Sequence, residues 1–271
     1  MAFDGFFIRK MVKELEENIL NGRINKINNL STDEFVFSVR KGKNLKLFLS
    51  ANSSASRIQL TNNSFENPST PSNFCSVLRK YLTGGIISEI NQVNNDRIII
   101  FKIKNFDELG YEKYYYLISE LMGKHSNIIL TNEDNIILES LKNSYSLEYK
   151  RSTISNMEYT LPPTVEKINP FDFSRYSDIK FSIDDKKFLM KSFYGVSALL
   201  NNYFEKNSEE DLKKNENFEN YKNIGDILAA NMHQIKYGMK KVTVFDFYNN
   251  EEVTINLDPL LSPNDNLNFY Y

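Results

Sequence analysis

Glu34-Phe35-Val36-Phe37-Ser38-Val39-Arg40, followed by Lys41-Gly42-Lys43-Asn44 and Leu45-Lys46-Leu47-Phe48-Leu49, decides the fold class. Polar and apolar residues largely alternate on both sides of a glycine turn, which is the period of a half-buried strand and not of a helix. Upstream, Arg23-Ile24-Asn25-Lys26-Ile27 repeats the alternation. The three segments predict an antiparallel meander with one face on a core and the other in water.

Working outward, Phe7, Met11, Leu15 and Ile19 recur at fourfold spacing between charges and Gly22 follows, so a helix is expected over residues 3–20. Residues 61–72 are rich in Asn, Ser, Thr and Pro and read as a loop; Pro71 then opens a helix through residue 82, stopped by Gly84-Gly85. Further strands are expected at residues 86–93, 97–103, 111–118, 127–130 and 136–141. Past Pro162-Pro163, helical spacing takes over at 186–193, 196–204, 209–215 and 218–237, and strand patterns return at 241–247 and 252–257. The expected class is α+β. A mostly antiparallel sheet domain covers residues 1–165, a helical region covers 166–238, and terminal strands fill 239–271.

The 271 residues are 41% hydrophobic, with 20 Phe and 16 Tyr, which suffices for a sizeable core. A formal net charge of −2 carries no global signature for nucleic acid. The first hundred residues lean basic, whereas acids outnumber bases 12 to 7 over residues 201–271. Cys75 is the only cysteine, which excludes a disulfide framework and a cysteine-based metal site. His125 and His233 lie far apart, so neither a metal nor a cofactor is expected. With no charged leader and no run near eighteen apolar residues, a cytoplasmic protein without a membrane partner is expected.

Two polar clusters stand on the threshold of strands. Asp96 and Arg97 precede Ile98-Ile99-Ile100-Phe101. On a strand these neighbours would point to opposite faces unless a bulge redirected them. A carboxylate beside a guanidinium stays ionised, which suits hydrogen bonding to ribose or base edges better than proton transfer. The second cluster, Glu120 to Asn127, leads into Ile128-Ile129-Leu130. Gly123 permits a positive φ there. Lys124 and His125 suit phosphate, while Ser126 and Asn127 suit neutral hydrogen bonds. Taken alone, this stretch reads equally as turn chemistry. Asp4 is placed to cap the first helix or to join the same polar surface. Gly195-Val196-Ser197, between two apolar-periodic segments, fits either a phosphate-binding helix-hairpin-helix or an ordinary helical corner.

As an ordered set these residues resemble the amino-terminal domain of the NFACT family, which includes RqcH-type ribosome-quality-control factors and proteins labelled fibronectin- or fibrinogen-binding. The resemblance rests on Phe3-Asp4-Gly5, Gly22-Arg23-Ile24, Asn67-Pro68, Phe74-Cys75, Leu78-Arg79-Lys80, Gly84-Gly85, Asp96-Arg97-Ile98, Glu120 to Leu130, Gly195-Val196-Ser197 and Leu257-Asp258-Pro259. It implies a sheet domain similar to the amino-terminal domain of formamidopyrimidine-DNA glycosylases, then a helix-hairpin-helix region, with a coiled coil beyond Tyr271. It also implies binding of tRNA, chiefly alanyl-tRNA, and of a large ribosomal subunit carrying peptidyl-tRNA, so that a tail is added without a template. The factor would position substrates and have no catalytic residue of its own. The family's tRNA-linked acid and arginine map onto Asp96 and Arg97, and its early acid onto Asp4. Tyr81 and Lys124 depart from the family's usual His and Arg, and a lysine cannot make the forked contact of an arginine. Ala2-Phe3 replaces the Pro-Glu start of glycosylases, which argues against glycosylase chemistry. Two other readings remain: an adhesin for fibronectin or fibrinogen, and a nucleic-acid-processing enzyme of glycosylase descent.

Overall fold

The computed structural model describes residues 3–65, 70–148, 151–179, 185–206, 218–268 and 270. The expected helix at 209–215 and the Asn67-Pro68 pair lie outside them. Helix α1 (Gly5–Ile19) buries Ile8, Val12, Leu15 and Ile19 along one stripe. Helix α2 (Asn73–Leu82) buries Phe74, Cys75, Leu78 and Leu82. Its cap is Ser72, whose Oγ accepts the N–H of Cys75, so Pro71 stands just outside the helix it was expected to open.

Nine strands form one antiparallel sheet: β1 (Arg23–Asn29), β2 (Glu34–Lys41), β3 (Lys43–Ser50), β4 (Arg57–Thr61), β5 (Ile86–Gln92), β6 (Ile98–Phe106), β7 (Glu112–Glu120), β8 (Asn127–Thr131) and β9 (Ile137–Ser140). Their order is β4-β3-β2-β1-β5-β6-β7-β8-β9. Two meanders thus meet at β1 and β5, where the ladder is short: Arg23 opposes Ile86, and Gly84 N–H donates to Ile24 C=O at 2.7 Å. Both helices pack on the same sheet face, and their apolar stripes share one core with Phe35, Phe37, Leu47, Leu49, Phe101 and Leu117. Each fully buried Leu or Ile there contributes on the order of 2 kcal/mol.

The other face is not simply wet, contrary to the expectation from alternation. Ile98, Ile118, Ile129, Ile137 and Tyr159 form a second buried cluster on it. The chain after β9 folds back to cover them, with Ile137 N–H donating to Met157 C=O and Tyr159 N–H to Asn135 C=O. β8 is consequently buried along its whole length. This outer face stays solvated at the far part of β5 to β7, where Lys102 pairs with Glu89 and Lys104 with Glu112, and on β1 and β2, where Lys26 and Arg40 are exposed.

Short strands β10 (Tyr145–Ser146) and β11 (Arg151–Ser152) follow, then helix α3 (Phe188–Ser192) and helix α4 (Ala198–Lys206). By internal contacts the chain divides into Met1–Asn202 and Tyr203–Tyr271. The expected boundaries at 165 and 238 do not coincide with this division, because residues 166–202 group with the sheet. In the second unit, helix α5 (Phe218–Ala230), strands β12 (Lys241–Asp246) and β13 (Glu251–Asn256) and helix α6 (Pro263–Asn268) enclose Ile227, Leu228, Val242, Val244, Ile255 and Leu257. The helical spacing that extends to residue 237 overruns the helix. At Asn231 the side chain donates back to Ile227 C=O and across to Phe245 C=O, and a 3-10 turn follows.

Three distant segments of the first unit meet backbone to backbone. Gly5 N–H donates to Gly195 C=O at 3.0 Å. Asn94 and Asn95, at φ 47° and 60°, make the tight turn between β5 and β6, and Asn95 Nδ2 donates to Tyr194 C=O. A Cβ on Gly5 would lie 1.9 Å from the Asn95 carbonyl oxygen, and one on Gly195 would lie 2.2 Å from it at a φ of +74°. Neither position has room for a side chain. Gly195→Ala is therefore expected to lower stability by more than about 2 kcal/mol in urea titration, since strain and clash act together. Gly110→Ala, at a similar φ of +83° but in open space, is expected to cost about 1 kcal/mol.

Candidate functional site

The meeting of those three segments forms one end of a cleft of about 850 Å³. Its walls come from the start of α1 (Phe3, Asp4), the loop after β3 (Ser53 to Arg57) and the β5–β6 turn (Asp96, Arg97). The exit of β7 (Leu121 to Gly123), Pro162-Pro163-Thr164 and the corner before α4 (Tyr194 to Ala198) complete it.

Asp96 and Arg97 both line this cleft. They lie in the turn ahead of β6 instead of on the strand, which removes the rule that neighbours face opposite ways. Asp96 Oδ1 accepts the backbone N–H of Arg97 at 2.7 Å, and Asp96 N–H donates to Val93 C=O. Among the described residues neither side chain enters an ion pair. Asp96 Oδ2 and the exposed Arg97 guanidinium are thus available to a ligand without first breaking an ion pair between them.

Asp4 has both expected roles. Its Oδ1 accepts the N–H of Phe7, capping α1, while its Oδ2 accepts the hydroxyl proton of Ser197 at 3.0 Å. Ser197 Oγ in turn accepts the N–H of Leu200 and caps α4. The positive ends of two helices therefore meet at one carboxylate that also lines the cleft. The first-turn amides of α4 have no acceptor within the helix, and Val196, Ser197 and Ala198 open on the cleft.

The second polar cluster divides. Gly123, at φ +59°, lines the cleft, and Lys124 and His125 are exposed on the adjoining 3-10 turn, outside the lining. Ser126 and Asn127 are buried at 0% and 5% exposure, which corrects their expected role toward a ligand. Ser126 Oγ accepts the N–H of Met122. Asn127 Oδ1 accepts the N–H groups of Ile128 and Lys142, and its Nδ2 donates to Lys142 C=O. These groups are spent on holding the turn.

Glu120, the first residue of that cluster, is 2% exposed and pairs with Arg151. Tyr159 donates its hydroxyl to the same carboxylate oxygen at 3.0 Å, and Arg151 Nε donates to Thr160 C=O. Burial pushes the Glu120 carboxyl above the ordinary range, while Arg151 and the Tyr159 hydroxyl pull it back. The network ties the end of β7 to the segment that runs into Pro162-Pro163, fixing two walls of the cleft together.

Sequence reasoning missed Arg57, Lys167 and the serine loop at 53–56. The signal for Arg57 was present, since Arg57-Ile58-Gln59-Leu60-Thr61 alternates polar and apolar for one short strand. Lys167 carried no comparable pattern; its Nζ donates to Met190 C=O in α3. Among the described residues no group of acids, histidines or cysteine is placed to hold a metal ion, and no helix is long and apolar enough to cross a membrane.

The family model of NFACT N-terminal and middle domains matches residues 4–208 and 201–271. Among curated relatives, the Rqc2 homolog RqcH of Bacillus subtilis is 43% identical over 207 residues, covering 73% of this chain and 36% of its own length. The Rqc2 homolog RqcH of Streptococcus pneumoniae is 30% identical and is matched by all of this chain over 65% of its length. The chain thus spans less than two-thirds of the length of these relatives. The crystal structure of the N-terminal domain of fibronectin-binding protein PavA from Streptococcus pneumoniae superposes with a TM-score of 0.71 at 33% identity, covering both chains in full.

If Asn127 serves the fold and Lys124 does not, Asn127→Ala is expected to lower stability by about 2 kcal/mol, because buried backbone groups lose their partners. Lys124→Ala is expected to stay within about 0.5 kcal/mol of the parent. Urea unfolding monitored by tyrosine fluorescence checks both.

Proposed function

The chain belongs to the NFACT family, and from that membership we propose that its cleft binds tRNA as part of a ribosome-quality-control factor. The observation that carries the reading is the convergence of Asp4, Asp96, Arg97, Gly123 and Gly195 to Ser197 on one cleft, with Asp96 and Arg97 free of mutual pairing. An ionised carboxylate takes ribose or base donors, and a guanidinium takes phosphate. Lys124 and His125 extend the surface past Gly123 toward the RNA backbone. The same reading gives the protein a large ribosomal subunit with peptidyl-tRNA as partner, alanyl-tRNA as the recruited substrate, and a cytoplasmic location. It binds and positions; bond formation is left to the ribosome.

The fold reading follows the same line. The sheet with α1 and α2 would correspond to the amino-terminal domain of formamidopyrimidine-DNA glycosylases, and the corner between α3 and α4 to a helix-hairpin-helix. The positive φ of Gly195 and the open amides of α4 support that assignment. A second reading, binding of fibronectin or fibrinogen, is favoured by the name of the PavA structure. It requires display at the cell surface, so recovery of the protein only from surface fractions, and none with large ribosomal subunits, would establish it. Turnover of a damaged-base duplex by the protein would instead establish the enzyme reading.

In the intact protein, Asp96→Ala and Arg97→Ala are each expected to weaken alanyl-tRNA binding by about tenfold or more, equivalent to about 1.4 kcal/mol, with unfolding midpoints unchanged. Fluorescence anisotropy with labelled tRNA measures the first and thermal unfolding the second. Parental affinity in both variants would remove the site.

A further inference from the structure

Arg57 is a cation without a carboxylate partner among the described residues. It opens β4 at the sheet edge, opposite Ser50, and lines the cleft together with Asp96 and Arg97. Its guanidinium carbon stands 4.9 Å from the ring centroid of Phe48, itself 3% exposed. Its Nε is buried and makes no hydrogen bond. Among the described residues no carboxylate pairs with it. An aromatic face returns only part of what a guanidinium loses on leaving water, and buried charges are ordinarily paired. The side chain is therefore held in place, half desolvated, without a counter-charge among the described residues.

The rest of the cleft does not supply one. Asp4 is engaged by Phe7 N–H and the Ser197 hydroxyl. Asp96 faces the same space as Arg97. Lys167 adds a third cation to the lining, against those two acids. The cleft is thus locally positive on a chain whose formal net charge is −2, so the excess belongs to this site and not to the surface at large. The neighbouring Ser53 to Ser56 loop has small side chains, which lets a polyanion approach Arg57 closely.

We propose that Arg57 is a second phosphate-binding residue of the cleft, taking a phosphodiester of the bound RNA from the β4 side while Arg97 and Asp96 engage it from the β5–β6 turn. The inference rests on the tRNA reading of the cleft. A guanidinium pre-placed over an aromatic ring loses little freedom on binding, and its planar fork suits a phosphate's two oxygens. Because the contact is to backbone, it adds affinity without reading sequence.

The test is tRNA affinity of the intact protein from 50 to 300 mM KCl for Arg57→Gln, Arg57→Lys, Asp96→Ala and Arg97→Ala. Arg57→Gln is expected to weaken binding about tenfold at low salt and to flatten the slope of log K against log [KCl] by about one, the loss of one phosphate contact. Arg57→Lys is expected to keep the slope and recover part of the affinity. Asp96→Ala is expected to weaken binding with its slope unchanged. Parental slope and affinity in Arg57→Gln, with Asp96→Ala and Arg97→Ala still weakened, would overturn the role of Arg57 and leave the cleft standing. Parental binding in all four would overturn the cleft as the RNA site. Should Arg57→Gln fail to fold, Arg57→Lys decides alone: full slope with reduced affinity supports the contact, and affinity equal to the parent overturns it.

Discussion

The Gly5–Asn95–Gly195 contact is the constraint on which the cleft depends. Two glycines and one left-handed asparagine bring the start of α1, the β5–β6 turn and the corner before α4 within van der Waals distance of each other's backbone. Gln92 reinforces it by donating to both Gly5 C=O and Asp96 C=O, at 2.7 and 2.9 Å. Asp4, Asp96, Arg97 and Ser197 are all attached to this junction. Asp4 precedes Gly5, Asp96 and Arg97 follow Asn95, and Ser197 comes two residues after Gly195. The residues that hold the segments together and the residues that face the ligand are thus immediate neighbours in sequence. A small change at the junction displaces all of them at once.

The opposite wall is fixed by different physics. The buried Glu120–Arg151 pair, with Tyr159 as a second donor, joins the end of β7 to the segment before Pro162. A buried ion pair adds little net stability, but breaking one is costly, so its use here is to fix geometry. A backbone junction thus holds one side of the cleft and a charged network the other. Under the proposed function such bracing would favour binding, since ordering a mobile site would subtract from affinity.

Much of this was legible in the sequence, and what was not has specific causes. Periodicity identified both major helices and most strands, because each buries one stripe or one face. It failed where burial is two-sided. β8 reads Asn127-Ile128-Ile129-Leu130-Thr131 and is buried throughout, so alternation carried no information about its outer face. Ser126 and Asn127 looked like ligand-facing groups for the same reason that they serve the turn: both uses need short hydrogen-bonding side chains. Asp96 and Arg97 were identified as a pair, but their common orientation depends on the two left-handed asparagines before them, and the sequence does not state those dihedrals. The strand that carries Arg57 was readable from its alternation, but the side chain's lack of a carboxylate partner among the described residues can be seen only in three dimensions.

Under the proposed function, the junction-built cleft is where the protein holds tRNA. A photoreactive benzophenone amino acid at Ala55, inside the cleft, tests it most directly when compared with the same group at Leu109, 82% exposed in the β6–β7 connection at the other end of β6. Irradiation of the intact protein with tRNA is predicted to crosslink RNA at position 55 and not at 109. RNA captured at 109 alone, or none captured at 55 under saturating tRNA, would contradict the claim.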